Sequence, residues 1–443
     1  MKKGVLLNLF IFFALCAVAQ SYKFDFGDGI AASGYTKVTA SSKFTYAKGY
    51  GFDQGSIVRT VKRKGKDLLR CDYVTSDKPF YFSVRIPEGN YDVKIILGDK
   101  EGTSATTVRA ECRRLFFQNI RTKKGEVVEK TFIVHVKDSV IKDSGGAAIN
   151  TVRLKPREIT YLHWDNLLTI EFNDSLPKVC GLEITRNTKA PTIFLAGNST
   201  VVDQDREPWA AWGQMFPSFF EGKNICIANY AESGETLKAF KSERRLDKVW
   251  SMIKPGDYLF IEFAHNDQKP GGSHLDPFTT YKTTLKEWIT EARKRNITPV
   301  LVTSMHRRSF DSSGHIINTL SDYPEAMRQT AKEEKVALID LNAMSKTLYE
   351  AWGPEASVKA FVHYPANTFP GQDKELKDDT HFNPYGAYEL ARCIVQSIKD
   401  QQLVFAKYLR KNIPAFNPAM PDAIEKWYWP QSPLVSSAKP DGN

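Results

Sequence analysis

The sequence predicts a two-part chain: an all-β sandwich followed by an α/β domain on a mostly parallel sheet. Three observations carry that expectation. The chain has 443 residues, room for two or three domains of ordinary size. Residues 21 to about 186 alternate or run apolar in short stretches split by turn residues, with no helical period. From about 190 the rhythm becomes strand, loop, helix, repeated, which implies a parallel sheet covered by helices.

In the first part, Tyr22–Phe26, Phe80–Ile86, Tyr91–Leu97, Thr131–Val136 and Leu168–Phe172 carry strand patterns. Turns such as Pro87-Glu88-Gly89-Asn90 separate them, as in an antiparallel sandwich. In the second part the strand candidates are Thr192–Ala196, Asn224–Ala228, Tyr258–Phe263, Thr298–Thr303 and Val336–Leu341. Helices fall between them. Over 277–295, Tyr281, Leu285, Trp288, Ile289 and Ala292 mark one face. The last helix opens at Asn383-Pro384, a cap residue followed by proline in the first turn. Its face is Tyr388, Ala391, Ile394, Val395 and Ile398. Residues 412–443 carry six prolines. They read as a tail packed over the surface and frayed at Ser436–Asn443, with Trp427, Tyr428 and Trp429 turned back onto the β-rich half.

Composition narrows the function classes. Hydrophobic residues are 42% and charged residues 25%, which excludes a disordered chain. The one long apolar run, Val5 to Ala19, follows Lys2 and Lys3 and ends Ala17-Val18-Ala19. That is the form of a secretory leader and is too short to span a bilayer. The expectation is cleavage after Ala19, no membrane span, and export to the periplasm or the medium. Cys16 leaves with the leader. Cys71, Cys112, Cys180, Cys226 and Cys393 remain, scattered and without C-x-x-C; they read as buried thiols, not a disulfide scaffold or zinc cluster. The net charge of +10 suits an acidic polymer as partner or serves solubility alone. No zinc finger or basic–aromatic array points to nucleic acid.

In an open α/β sheet, ligands bind beyond the carboxyl ends of the strands, so the loops there are where chemistry is expected. The first carries Gly197-Asn198-Ser199-Thr200, where Ser199 is expected to present its hydroxyl. The second carries Ser233-Gly234, whose glycine permits close backbone approach. The third carries Ala264-His265-Asn266-Asp267, where the Asn266 carboxamide can donate two hydrogen bonds. After the fifth strand and a long loop comes Asp378-Asp379-Thr380-His381. A carboxylate three residues before a histidine can reach back to its ring and fix the tautomer; Asp379 is the rival orienter. Each block alone is an ordinary turn. Together they supply nucleophile, base, orienter and oxyanion donors, the roles that acyl transfer needs. There is no G-x-S-x-G, so the arrangement is not the α/β-hydrolase elbow.

Ile193–Val201, Asn229–Thr236, Phe263–Gln268 and Asp378–Asn383, in this order, resemble the blocks of the SGNH (GDSL-type) hydrolase superfamily. More narrowly the chain is similar to bacterial rhamnogalacturonan acetylesterase-like proteins, over about 190–400. The resemblance implies a three-layer α/β domain with a flavodoxin-like parallel sheet. It makes Ser199 the nucleophile and has Asp378 and His381 complete the triad. Ser199 N–H, Gly234 N–H and Asn266 would form the oxyanion hole. No cofactor or metal is expected. The first half resembles the galactose-binding-like sandwich attached to some members. The resulting division is leader 1–19, β-sandwich 20–187, hydrolase domain 190–411 and tail 412–443.

Two positions depart from the pattern: Asn198 stands where the family has aspartate, and Ala264 where it has glycine. Asn198 can still hydrogen-bond its loop, and neither change removes a catalytic role. The implied activity is removal of O-acetyl groups from a pectic, rhamnogalacturonan-type polysaccharide or oligosaccharide by a serine acyl-enzyme. The alternatives are a lipid or thioester hydrolase of the same superfamily and a non-catalytic glycan-binding protein. Polar loops at 265–276 and 305–315 speak against the first, and the intact Ser199, Asn266, Asp378 and His381 against the second. Arg307 and Arg308 follow the fourth strand and would clamp a substrate carboxylate or simply be solvated. Trp209, Trp212, Phe216 and Phe219 have the spacing of a helix face, which favours core packing over a sugar platform. His265, His306 and Asp267 lack metal-ligand spacing.

Overall fold

The structure, a computed structural model, describes residues 21–441; the leader expected at 1–19 lies outside the described residues. The β-rich half forms two facing sheets. One runs Val127–Val136, Gly89–Gly98, Lys178–Arg186, Ser21–Phe26, Thr36–Val38, with Asp72–Thr75 and Arg59–Lys62 added at its side. The other runs Tyr50–Asp53, Phe80–Arg85, Leu167–Leu176, Ser104–Ala110, Arg114–Thr122. Pairing is antiparallel except between Phe24–Phe26 and Thr36–Val38. Strand alternation drives the packing: Val93, Ile95 and Leu97 of one sheet meet Phe80, Phe82, Leu168 and Ile170 of the other in one apolar cluster.

The α/β half is built on five parallel strands: Thr192–Gly197, Cys226–Asn229, Tyr258–Glu262, Thr298–Val302 and Ala337–Ile339. Numbered along the chain, their spatial order is 2-1-3-4-5, the flavodoxin-like order. Successive residues of one strand feed separate cores. Ile193 and Leu195 pack with Trp212, Leu348 and Ile394. Phe194 and Ala196 pack with Phe240, Val249, Trp288 and Met327.

The expected helices form with small shifts at their ends. Residues 277–281 make a π-turn before the α-helix Lys282–Lys294, which buries Leu285, Trp288, Ile289 and Ala292. The last helix, Pro384–Asp400, is capped by the Asn383 side chain, which accepts from Gly386 N–H. Trp212, Phe216 and Phe219 are buried in the apolar core and are not a sugar platform; Trp209 is buried too but lies outside that core. The five cysteines are buried free thiols.

The two halves are joined by charges buried between them. Arg114 pairs with Asp203 at 2.8 Å, Arg113 with Glu207 at 2.9 Å, and Lys248 with Glu88 at 2.6 Å. Arg245 grips Glu158 bidentately at 2.9 and 2.5 Å. Such residues are buried only when paired.

The tail departs from expectation. Tyr428 and Trp429 do turn back to the β-rich half: Tyr428 donates to Asp174, and Arg109 stacks 3.9 Å over the Trp429 ring. Trp427 packs instead on Tyr388 of the last helix, centroids 4.7 Å apart. Ser436–Asp441 is not frayed. Ser436 N–H donates to Glu207 O, Trp209 Nε1 donates to Ser436 O at 3.1 Å, and Asp441 pairs with Arg157. Backbone hydrogen bonds and an ion pair hold what a proline-rich composition suggested would be loose.

Candidate active site

Ser199 sits in the turn just after the first parallel strand. Asn198 shapes that turn: its Oδ1 accepts from Thr200 N–H at 3.0 Å and Thr200 Oγ1 at 2.8 Å. The amide thus does the loop-fixing expected of a side chain at that position, without a charge. Beneath it, buried Glu262 lies 3.0 Å from Thr200 Oγ1 and accepts from Trp212 Nε1 at 2.6 Å. Burial pushes the Glu262 carboxyl up to about 7.

Asp378 and His381 lie on a strand, not on the loop expected there. Leu376–Phe382 pairs antiparallel with Phe361–Tyr364. Phe361 faces Phe382 while Val362 already faces Asp378, so residues 379–381 are extra on one side. A bulge of this kind re-aims side chains. It brings His381 Nδ1 to 2.7 Å from Asp378 Oδ2 and His381 Nε2 to 2.8 Å from Ser199 Oγ. Asp378 Oδ1 also accepts from the backbone N–H of Thr380 and His381, at 2.8 and 3.0 Å. Burial alone would raise the Asp378 carboxyl; its bonds to His381 and to those backbone donors overcome this and hold it below the ordinary carboxylate value. Asp379 points elsewhere, to His363 Nε2 and Arg308 Nη1, each at 2.9 Å. Between the rival orienters the geometry selects Asp378. Trp209 packs edge-on against the His381 ring, centroids 5.9 Å apart.

Gly234 has φ +84°, the left-handed region that favours glycine. Among the described residues, no backbone carbonyl takes the N–H of Ser199 or of Gly234. Asn266 Nδ2 donates to Glu235 O at 3.1 Å, which spends one of its two N–H groups and fixes the carboxamide.

The two arginines differ. Arg308 is held by protein on several sides: Nε donates to Ser357 Oγ at 2.9 Å, Nη1 pairs with Asp379, and Nη2 donates to Pro354 O. These partners occupy the guanidinium that was expected to join a substrate clamp. Arg307 is half-buried, donating to the carbonyls of Thr319 and His265 at 3.2 Å each, and burial lowers its pKa. His265 is buried, and burial pushes its pKa far down, with the charges of Arg307 and His381 adding to this. Asp267 accepts from Leu237 N–H at 2.8 Å and is pushed up to about 7 by burial. Among the described residues these two and His306 do not form a metal-ligand group.

Sequence reasoning missed the surroundings of Gly234. The short 3-10 helix Pro156–Thr160 of the β-rich half and Lys155 before it meet the Glu232–Glu235 turn. Lys155 Nζ lies 2.6 Å from Glu235 Oε1 and donates to Ser233 O at 2.6 Å. Arg157 Nη2 donates to Glu232 Oε1 and Ser233 O, each at 2.9 Å. Glu158, His163 and Glu232 lie within ligand reach of one another, but Glu158 is committed to Arg245 and Glu232 to Arg157. A cleft of about 330 Å³ opens beside this turn, lined by Arg157, Gln204, Arg206, Trp209, Ser233 and Lys439. On the tail, Lys439 Nζ stands 3.6 Å from Asp378 Oδ2.

The profile of the GDSL-like lipase/acylhydrolase family matches residues 195–388, and that of the galactose-binding-like domain of β-agarase/YXIM esterase-like proteins matches 22–142. The rhamnogalacturonan acetylesterase RhgT of Bacillus subtilis is 41% identical over 219 residues, 49% of this chain and 93% of that protein. The chain belongs to the GDSL-like lipase/acylhydrolase family. The uncharacterized esterase YxiM of the same organism is 28% identical over 398 residues, 87% of this chain and 92% of its own. A crystal structure of YxiM has TM-score 0.46 at 26% identity, covering 87% of this chain and 99% of that one. As a GDSL-family member with an acetylesterase relative, the chain is a carboxylic ester hydrolase. The family match spans all four loop blocks, and the galactose-binding-like match lies wholly in the β-rich half.

Proposed function

We propose that the chain is a carbohydrate esterase that removes O-acetyl groups from a rhamnogalacturonan-type pectic polysaccharide through an acyl-enzyme on Ser199. The observation that carries the chemistry is the relay from Asp378 through His381 to Ser199, with hydrogen bonds of 2.7 and 2.8 Å. As Ser199 Oγ attacks the acetyl carbonyl carbon, His381 Nε2 takes its proton, and Asp378 stabilises the imidazolium. The carbonyl oxygen becomes an oxyanion that the N–H groups of Ser199 and Gly234 and the amide of Asn266 receive. On collapse, His381 returns the proton to the departing sugar oxygen and acetyl stays on Ser199. Water, deprotonated by His381, then releases acetate and restores Ser199.

The substrate class rests on the 41% identity to a rhamnogalacturonan acetylesterase and is supported by the net charge of +10. We further read the enzyme as exported, from Lys2-Lys3 and the apolar run to Ala19. Residues 20–187 are taken as a galactose-binding-like sandwich, 190–411 as a three-layer hydrolase domain and 412–443 as a tail. The two apolar clusters flanking the parallel strands support the layered reading. Acetate release from acetylated rhamnogalacturonan, acetylated homogalacturonan and acetylated xylan tests the substrate. Fastest release is expected from the first; preference for xylan would overturn the pectic assignment.

A further inference from the structure

We infer that Lys155 and Arg157, supplied by the β-rich half, are positioning residues that aim and polarise the Ser233–Gly234 peptide as an oxyanion donor. The inference rests on the acyl-transfer reading above. Both side chains donate to one atom, the carbonyl oxygen of Ser233, at 2.6 and 2.9 Å. That carbonyl belongs to the same peptide unit as the Gly234 N–H. The unit is trans, since the one cis bond among the described residues is Glu207–Pro208. In a planar trans peptide the C=O and N–H point in opposite directions. Fixing the oxygen on two cations therefore fixes the N–H away from them, and no backbone acceptor takes it.

The alternative conformer shows why such a lock is needed. A glycine visits positive and negative φ with similar ease, so the 233–234 peptide can flip at little local cost. A flipped peptide would present its carbonyl oxygen, a repulsive dipole, where the N–H should receive negative charge. Lys155 and Arg157 oppose the flip, because it would remove the acceptor of two charge-assisted hydrogen bonds. The same bonds draw electron density toward the carbonyl and strengthen the N–H as donor. The cations are themselves held. Lys155 stands 2.6 Å from Glu235, Arg157 donates to Glu232 at 2.9 Å, and Glu158, the residue after Arg157, is held in the buried pair with Arg245. Burial pushes the Glu232 and Glu235 carboxyls up, and the charges of Arg245, Arg157 and Lys155 oppose that rise.

The test is the full-length double variant Lys155→Met/Arg157→Met, assayed on a small acetyl ester. The readouts are kcat, KM, inhibition by a boronic acid that forms a tetrahedral serine adduct, and inhibition by acetate. Loss of a whole oxyanion donor costs about 10²–10³ in kcat, so a misaimed, less polarised one should cost about 10–100-fold. KM and acetate inhibition should stay unchanged while the boronate weakens in step with kcat. Lys155→Arg, which keeps the charge and a donor, should recover most of the rate. A folded double variant with wild-type kcat, or one whose loss lies in KM alone with boronate binding intact, overturns the inference. If the double variant fails to fold, Lys155→Gln and Arg157→Gln are measured singly with the same readouts. A kcat loss matched by weaker boronate binding in those variants supports the inference, and wild-type kcat in both overturns it. Ser199→Ala and Asn266→Ala run alongside separate the two levels. If those retain activity, the acyl-transfer reading fails; if they lose it while the cation variants do not, only this inference fails.

Discussion

Two regions meet at Ser199 and are written in the sequence in different ways. The loops of the α/β half carry the Asp378–His381–Ser199 relay and the proposed oxyanion donors in runs of a few residues, each just after a strand or on a short hairpin. The β-rich half reaches the same site through Lys155 and Arg157, which no local pattern distinguishes from ordinary surface cations. The difference teaches that catalytic atoms are specified locally, because their chemistry dictates residue type and spacing. Their supports are specified by three-dimensional packing, because any cation that arrives at the right carbonyl will serve.

The severest test of that division removes the β-rich half. A chain beginning at Lys189 keeps every relay residue but loses the cover of Trp164, Ile141 and Val152 over one core and of Leu115 over the other. It also loses Lys155 and Arg157. We expect it to be aggregated or, where soluble, without measurable acetate release even from a small ester. A soluble truncated chain with full small-ester activity would show that the halves are catalytically independent.

Next in size is the contrast between neighbouring aspartates. Asp378→Asn removes the acceptor that sets the His381 tautomer, so kcat should fall by roughly 10⁴. Asp379→Asn, which touches His363 and Arg308 instead, should stay within a few-fold of wild type. Steady-state kinetics on both variants decides; a severe Asp379 defect would reverse the assignment.

The interface offers a smaller effect, read as stability. Glu158→Ala would leave Arg245 buried without its bidentate partner, although Glu243 and Glu235 remain near it. Breaking such a pair costs about 3–5 kcal/mol, a large part of the roughly 5–15 kcal/mol that typically holds a domain. Denaturant titration should show that loss, and an unchanged midpoint would mean the pair is dispensable.

Smaller again is a pH effect beneath the nucleophile. The Glu262 carboxyl is pushed up to about 7 in the folded chain, from an ordinary value of 4.5. A raised folded value means the folded state holds the proton more tightly. That contribution is fully present below about 4.5 and is lost as pH rises through about 7. Relative to Glu262→Gln, the wild type should therefore lose about 1–3 kcal/mol of stability between about pH 5 and 8. A constant difference across that range in Tm series would contradict the shift. Smallest of all, Arg308→Met should change kcat/KM on polymer by less than about threefold, since that guanidinium is already held by protein; a large rise in KM would restore it to the substrate clamp.

Much of the fold was legible. The change of rhythm near 190 located the boundary between all-β and α/β segments, and helix faces such as Leu285, Trp288, Ile289 and Ala292 are buried as their spacing implied. What escaped was non-local. The bulge that swings His381 toward Ser199 depends on the register between 361–364 and 376–382, which no single strand encodes. The tail read as frayed because proline and serine suggest loose chain, yet Glu207 and Trp209 supply hydrogen-bond partners for Ser436 from far back in the sequence. Arg308 looked available because sequence shows a charge but not the Asp379, Ser357 and Pro354 that occupy it.

The proposed carrier of the acyl group is Ser199. An organophosphonate that esterifies only activated serines, followed by peptide mapping of the full-length protein, tests it directly. One adduct is expected, on Ser199, abolished in His381→Ala along with acetate release. An adduct on another serine, or undiminished acetate release by Ser199→Ala, would contradict it.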